Sequence, residues 1–428
     1  MRKIALISEH ASPLAAIGGV DSGGQNVYVA HTAQHLAKMG YLVDIFTRSD
    51  SSKQAETVQW LPNVRVIHVP AGPLCFIPKE KILPYMEDFS RYVVNYARRQ
   101  LIPYDVLHAN FFMSGIVAQQ VKSKLGIPFV ITFHALGLVR RLAQGQADGF
   151  PDSRFAIERQ LMEDAALVIA ECPQDKLDME TLYDAAPDKI GVVPCGFDPD
   201  EFPRLPVDAR QYLGLRRDDF VLLQLGRMVP RKGVDNVIRS LAVLRDRYAV
   251  SAKLIVVGGN SEKPDPVATP ELGRLNALAG ELGVADHVIF TGQRARAHLP
   301  YYYGAADVFC TTPWYEPFGI TPVEAMACGV PVVGSAVGGI KTTVEDGKTG
   351  YLVPPNDPDA LAERLARIYS QPDLAKRLGE AGMKRAYRYF TWRSVVARIV
   401  DVYEHAIGIT ATSQSRAISA PPPLFLRS

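Results

Sequence analysis

The sequence segment Glu316-Pro317-Phe318-Gly319-Ile320-Thr321-Pro322-Val323-Glu324 places two carboxylates eight positions apart around a turn. It lies between an apolar run ending near Cys310 and a helical pattern reaching about Cys328. Phe318, Gly319 and Ile320 then fall at a helix N-terminus, where N–H groups without intrahelical partners and partial positive charge favour a pyrophosphate or clustered hydroxyls. A carboxylate before that turn accepts hydrogen bonds from hydroxyls, and Glu324, one to two turns along, reaches a ribose-like diol. Standing alone, the segment is better explained as an acid favoured by the helix dipole plus a surface glutamate.

A second segment changes that balance. Gly226-Arg227-Met228-Val229-Pro230-Arg231-Lys232-Gly233 follows an apolar strand pattern and sets fixed cations near a turn. Arg227, through its planar fork, and Lys232, as a point charge, can neutralise a diphosphate and stabilise charge developing on a leaving group. A third segment, Gly18-Gly19 and Gly23-Gly24 around Asp21-Ser22, follows the first strand and precedes a helical pattern over Gln25–Met39. Its glycines permit close backbone approach to a phosphate, with a plain flexible turn as the alternative. The spacing is not that of a dinucleotide GxGxxG loop, and no acid closes a second strand where that fingerprint needs one.

Other chemistry-bearing residues read more plainly. His134 ends a strand pattern and on sequence alone is structural. His31 and His35 lie four apart without a third ligand, so they read as polar-face residues. Asp198-Pro199-Asp200 and Asp357-Pro358-Asp359 imitate a metal-binding Asp-x-Asp but sit where a turn or helix cap is expected, so no metal is assigned.

The elements that must hold these residues follow from the hydrophobic pattern. Short β-branched runs at Ile4–Ile7, Leu42–Phe46, Val64–Val69, Val106–His108 and Phe129–Thr132 alternate with amphipathic segments. The rhythm restarts at Phe220–Leu225 and continues through Leu254–Val257, Val288–Phe290, Val308–Cys310, Val330–Val333 and Tyr351–Val353. This is the signature of βαβ units and parallel sheets. At 428 residues two domains are expected. Residues 1–194 form the first, a proline-rich stretch over 195–208 the linker, and residues 209–390 the second. A closing helix over 391–408 and a disordered tail over 409–428 follow. Ligands of open α/β sheets bind at the carboxyl ends of the strands, so the site is expected in the cleft between the domains.

Composition narrows the class. Charged residues make up 21% of the chain and the formal net charge is +2, which gives no nucleic-acid footprint. Five scattered cysteines without a CxxC pair indicate neither a disulfide framework nor a zinc site, and point to a reducing cytoplasm. Met1–Ser8 leads straight into an apolar strand without a leader pattern, and no apolar run is long enough to span a bilayer.

Together, the Glu-Pro-Phe-Gly-Ile-Thr segment with its second glutamate, Gly-Arg-Met-Val-Pro-Arg-Lys-Gly and the glycine-rich loop closely resemble the family 4 retaining glycosyltransferases. Asp21–Val29 (Asp-Ser-Gly-Gly-Gln-Asn-Val-Tyr-Val) and Thr132–Gly137 (Thr-Phe-His-Ala-Leu-Gly) look like sucrose-phosphate synthases and the inositol-phosphate N-acetylglucosaminyltransferases of mycothiol synthesis. The resemblance spans roughly residues 1–408. It implies a GT-B fold: two Rossmann-like α/β domains facing a cleft, with the C-terminal helix crossing back to the first. It implies that Arg227 and Lys232 hold the diphosphate, Glu316 and the backbone of Phe318, Gly319, Ile320 and Thr321 the donor sugar, and Glu324 the ribose. Gly23 and Gly24 would meet phosphate from the opposite wall, the backbone of Arg294 the base, and His134 the donor sugar beside the reacting carbon.

The same resemblance implies transfer of a hexose from a nucleoside-diphosphate sugar, with UDP favoured and GDP or ADP as alternatives, to a small-molecule acceptor. No other cofactor is called for. A hydrolase-like retaining mechanism needs a carboxylate nucleophile about 5 Å from the acid, and no acid outside the donor motif suits it. The resemblance instead implies same-face substitution, with the departing diphosphate taking the acceptor proton. Asn26, Lys79 and Arg154 fall near positions that hold an acceptor phosphate in the mycothiol enzymes, where Phe111 and Ala135 replace two hydroxyl-bearing residues. That replacement leans toward sucrose-phosphate-like chemistry or another small acceptor. Competing readings are a GT-B phosphorylase or nucleotide-sugar epimerase, and a non-catalytic sugar-nucleotide sensor.

Overall fold

The computed structural model describes residues 2–15, 23–202 and 206–419. Fourteen strands are found there: β1 Lys3–Ile7, β2 Leu42–Arg48, β3 Thr57–Leu61, β4 Val64–Val69, β5 Val106–Asn110, β6 Phe129–Thr132, β7 Leu167–Ala170 and β8 Ile190–Val192 in one sheet. The second sheet holds β9 Phe220–Leu225, β10 Ala252–Val257, β11 Val288–Gly292, β12 Val308–Thr311, β13 Val332–Ser335 and β14 Gly350–Val353. The orders are β3-β4-β2-β1-β5-β6-β7-β8 and β11-β10-β9-β12-β13-β14. Every pairing is parallel except β3 with β4.

Helices cover both faces, so central strands are buried along nearly their whole length. The run Lys-Ile-Ala-Leu-Ile of β1 is buried at all five positions, as a strand between two helical layers requires. The edge strand β3 keeps its residues half-exposed or exposed, and Asn63, with φ 65°, turns the chain into β4. Each sheet starts in its middle and grows outward in both directions, which leaves a crevice between β1 and β5 and another between β9 and β12. The loops after these four strands carry the glycine pair, Phe111, the Arg227–Lys232 turn and the Glu316 segment.

The two sheets are bound together twice. Phe197 pairs with Thr391, the Phe197 N–H donating to the Phe390 carbonyl at 2.8 Å and the Trp392 N–H to the Phe197 carbonyl at 3.0 Å. Trp392, Val395, Val396 and Ile399 of the last helix then pack in a core shared with Ile4 and Val27 of the first half and Val221 and Phe318 of the second. This last helix runs Trp392–Ser419, further than the 391–408 expected, and occupies residues 409–419 that composition assigned to a tail. The first helix breaker beyond Gly408 is Pro421, so nothing in 409–419 stops propagation. Residues 420–428, 203–205 of the linker and the first glycine pair, Gly18-Gly19 with Asp21 and Ser22, lie outside the described residues.

Candidate active site

A cavity of about 470 Å³ opens between the two sheets. From the second half it is lined by Arg227, Lys232, Arg294, Glu316, Phe318, Gly319, Ile320, Thr321 and Glu324. From the first half come Gly23, Gly24, Asn26, Lys79 and His134. Fourteen expected site residues thus share one space, and Arg154 alone does not reach it.

The Glu316 turn is shaped by glycine contacts. Gly338 has φ 43°, and a Cβ there would fall 1.9 Å from the Glu316 carbonyl oxygen, so only glycine lets the β13 loop close on this turn. Gly339 N–H donates to the same carbonyl at 3.0 Å. On the other side, Gly233, with φ 65°, presses on the Thr312 carbonyl, where a Cβ would again lie at 1.9 Å. These approaches bring the Lys232 ammonium into direct contact with the Glu316 carboxylate. Burial opposes ionisation of Glu316, but Lys232, Arg231 and Arg227 override it and hold the carboxyl below its ordinary value. Burial likewise pushes the Lys232 ammonium down, against the pull of Glu316 and with the repulsion of the two arginines. Arg231 was not assigned a role from sequence. It lines the cavity with its guanidinium 5.0 Å from the Tyr315 ring centroid, and its buried Nη1 has no hydrogen-bond partner.

Glu324 is buried, with Oε1 accepting from Arg296 Nη2 at 2.8 Å and Oε2 from the Tyr303 hydroxyl at 2.8 Å. The Arg294 guanidinium is spent on the Tyr302 hydroxyl at 2.9 Å and the Glu262 carbonyl at 2.7 Å, leaving only part of the residue to line the cavity.

His134 stands opposite, just past β6, with φ 58°. A non-glycine residue in that region costs about 1–3 kcal/mol and persists only where its surroundings enforce it. Here Nδ1 lies 3.0 Å from Glu171 Oε1, Nε2 lies 3.0 Å from Asn110 Oδ1, and the Tyr28 ring meets the imidazole edge-on at 4.8 Å. The Asn110 amide is oriented by donating to the carbonyls of Ile7 and His108. Both ring nitrogens therefore face protein oxygens. Glu171 is held in turn by the Cys195 thiol at 3.1 Å, and next to it burial and the Glu171 charge push Asp175 up to about 8.

The acceptor-side expectations need correction. Arg154 is fully buried behind the cavity wall. Its Nε donates to Glu158 at 2.7 Å, one Nη reaches the Ala135 carbonyl, and its guanidinium lies 4.7–4.8 Å from the rings of Phe111, Phe112 and Phe150. These three rings retain the cation on that side by face contact. Asn26 lines the cavity but spends its amide on the glycine loop, accepting from the Gly23 N–H at 2.9 Å and donating to the Ser12 carbonyl at 2.9 Å. A cation unmarked by any motif, Arg140, does line the cavity, pinned through Nε to buried Asp148 at 2.5 Å.

Comparison with known proteins fits this geometry. Residues 22–201 match Glycosyltransferase Family 4 and residues 208–385 match Glycosyl transferases group 1. A D-inositol 3-phosphate glycosyltransferase from Corynebacterium glutamicum is 34% identical over 412 residues, covering 95% of this chain and 97% of the relative. The chain belongs to the family 4 glycosyltransferases. Among solved structures, sucrose-phosphate synthase from Thermosynechococcus elongatus matches the transferase with a TM-score of 0.87 at 33% identity, covering 96% of this chain and all of that one. The Anabaena protein HepE in complex with UDP and glucose shares the fold at a TM-score of 0.74 and 22% identity, over 94% of this chain and 100% of its own.

The fold is thus the two-domain GT-B arrangement, and the protein is a transferase. In this transferase the Asp-Pro-Asp motifs have local structural jobs: Asp357 caps a helix by accepting from the Ala360 N–H at 2.9 Å, and Asp198 accepts from the Asp200 N–H at 2.9 Å. No helix among the described residues is long and apolar enough to cross a membrane. Sequence reading passed over Asn110, Arg140, Glu171, Arg231 and Arg296, although Arg231 sits inside the quoted basic turn. The others belong to no motif: Arg140, Glu171 and Arg296 are brought to the cavity only by the fold, and Asn110, the last residue of β5, acts on it through His134.

Proposed function

We propose that the transferase moves a hexosyl group, with retention, from a UDP-sugar to a small phosphorylated acceptor. The observation that carries the reading is the convergence of Arg227, Arg231 and Lys232 on Glu316 in a cavity whose other wall holds His134 and the Gly23-Gly24 turn. Three cations suit a diphosphate leaving group, and the adjacent carboxylate suits sugar hydroxyls. In this reading the bond from the anomeric carbon to the diphosphate oxygen breaks as the bond to the acceptor oxygen forms on the same face. The acceptor proton passes to the departing diphosphate.

Glu324 grips the ribose, the Phe318–Thr321 backbone the sugar, and the Arg294 backbone the base. Residues 1–194 act as the acceptor domain and 209–390 as the donor domain, joined by 195–208 and by the last helix, in a cytoplasmic protein. The names of the relatives, an inositol 3-phosphate glycosyltransferase and a sucrose-phosphate synthase, support a phosphorylated acceptor, and UDP in HepE supports the base. Lys79 and Arg140, which line the cavity from the first half, support an acceptor phosphate on that wall.

The test incubates the protein with UDP-, GDP- and ADP-sugars, with and without a panel of hexose and inositol phosphates, and reads product anomers by NMR. Retained configuration with a UDP-sugar and a phosphorylated acceptor is expected. An inverted product, or a glycosyl ester trapped on any carboxylate, overturns the mechanism, and orthophosphate-dependent breakdown of a glycoside would replace it with a phosphorylase.

A further inference from the structure

The two crossings between the sheets meet beside the helix Gly24–Lys38. His31 of that helix stacks on Trp392, centroids 5.2 Å apart and planes 9° apart, where the last helix begins. His31 Nε2 lies 3.5 Å from Glu201 Oε1, and Nδ1 lies 3.7 Å from Asp198 Oδ2. Both acids belong to the segment joining β8 to β9. The second oxygen of Glu201 accepts from Arg296 Nε at 3.0 Å and also from Nη2, and that same Nη2 donates to Glu324 Oε1 at 2.8 Å. One guanidinium, 17% exposed, therefore bridges the carboxylate facing the donor cavity and the carboxylate on the connection between the sheets.

We propose that Arg296 is a positioning residue for donor recognition, fixing Glu324 for the ribose diol and, through Glu201, tying occupation of that site to the hinge between the two sheets. The inference rests on the reading of Glu324 as the ribose grip. A planar guanidinium bound at two edges transmits displacement of one carboxylate to the other, which a single-point ammonium does not. Burial opposes the Arg296 charge, but Glu324 and Glu201 override it and raise its pKa, while His31 and Arg296 override the burial of Glu201 and pull that acid down to about 2. Arg296 and Glu201 are thus both charged at neutral pH. Each Glu324 oxygen has a second acceptor direction, so a diol adds to the network without displacing Arg296 or Tyr303. Glu201 continues the bridge to His31 and Trp392, the point from which either half would rotate.

The experiment compares the full chain with Glu324→Gln, Arg296→Gln, Arg296→Lys and Glu201→Gln. Calorimetry measures UDP against 2′,3′-dideoxy-UDP, and small-angle scattering measures the change in radius of gyration on adding UDP. The wild type is expected to prefer UDP by about tenfold or more and to contract. Glu324→Gln and Arg296→Gln are expected to abolish the preference. Glu201→Gln is expected to keep the preference and lose the contraction. Arg296→Lys, which serves as the readout if Arg296→Gln fails to fold, is expected to lose the contraction as well. An unchanged preference in Glu324→Gln overturns the ribose reading itself. A preference lost in Glu324→Gln but intact in Arg296→Gln overturns the role of Arg296, as does contraction of Glu201→Gln or Arg296→Lys to the wild-type extent, or a wild type that does not contract.

Discussion

Replacing Lys232 by methionine removes a charge and leaves most of the stem's bulk, so it separates what the Lys232–Glu316 pair contributes to stability from what it contributes to rate. Loss of one preorganised charge aimed at a leaving group typically costs 10²–10³ in kcat, about 2.7–4 kcal/mol. Orphaning one member of a buried pair costs about 3–5 kcal/mol. Here the side chains retain 22% and 14% of their exposure, and Arg227 and Arg231 still face Glu316, so solvent and the remaining cations reduce the figure to about 1–2 kcal/mol. For a domain of this size that lowers Tm by about 2–8 °C. The assay is donor turnover beside thermal unfolding, for Lys232→Met and for the double variant with Glu316→Gln. The double variant removes the orphaned carboxylate, so its Tm should return to near the wild-type value while kcat stays at or below that of the single variant. If turnover recovers together with Tm, the pair is structural, and assigning diphosphate stabilisation to Lys232 is wrong.

Three other outcomes follow from the geometry. Glu171→Gln leaves His134 Nδ1 facing an amide, weakening the hold on a ring kept at positive φ, so kcat should fall about tenfold with the donor KM little changed, as steady-state kinetics would show. Arg140→Gln should raise the KM of a phosphorylated acceptor by about 10- to 100-fold, the worth of one hydrogen bond to a charged group, while hydrolysis of the donor without acceptor stays at the wild-type rate. His108 bonds Tyr403 and Thr132, and burial pushes it down from 6.5 to about 3, so the unfolded chain binds a proton there that the folded chain refuses. Its stability contribution is complete above pH 6.5 and is lost as pH falls toward 3, about 2 kcal/mol by pH 5, and urea titrations of His108→Gln should show a pH slope shallower by about one proton in that window.

Most of the fold was legible because parallel strands buried on both faces leave unbroken aliphatic runs, as β1 and β9 do. Three strands went unnamed: β3 carries Gln59 and Trp60 on a half-exposed edge, β8 has three residues including Gly191, and β7, Leu167–Ala170, is a fully buried aliphatic run that was passed over although its pattern is as plain as that of β6. At the site, the motif residues that share the cavity were legible because they cluster in sequence next to tight turns. What lay beyond the sequence was the second layer of contacts. Arg154 and Arg140 are both arginines near the expected acceptor wall, and which one faces the cavity is decided by three phenylalanine rings and Asp148, the contacts of Phe111 and Phe112 with Arg154 spanning 43 and 42 positions that no spacing announces. Arg296 shows the same limit, since its partners Glu201 and Glu324 lie 95 and 28 positions away.

Several polar groups of the donor wall are paired with one another: Lys232 with Glu316, Arg296 with Glu324 and Glu201. Binding at such a wall is an exchange, so affinity is the difference between what the ligand supplies and what the existing pairs already have. A free diphosphate rewards Lys232 but draws it from Glu316, leaving a half-buried carboxylate short of its closest cation. A free sugar offers hydroxyls to Glu316 but leaves the cations without an anion. In the function proposed above, a nucleotide sugar supplies both halves at once, with its ribose diol adding to the open acceptor directions of Glu324. Pre-paired charges therefore reject fragments by the cost of the partner each one strands, a form of selectivity in which the penalty for an incomplete ligand exceeds the reward for any single contact.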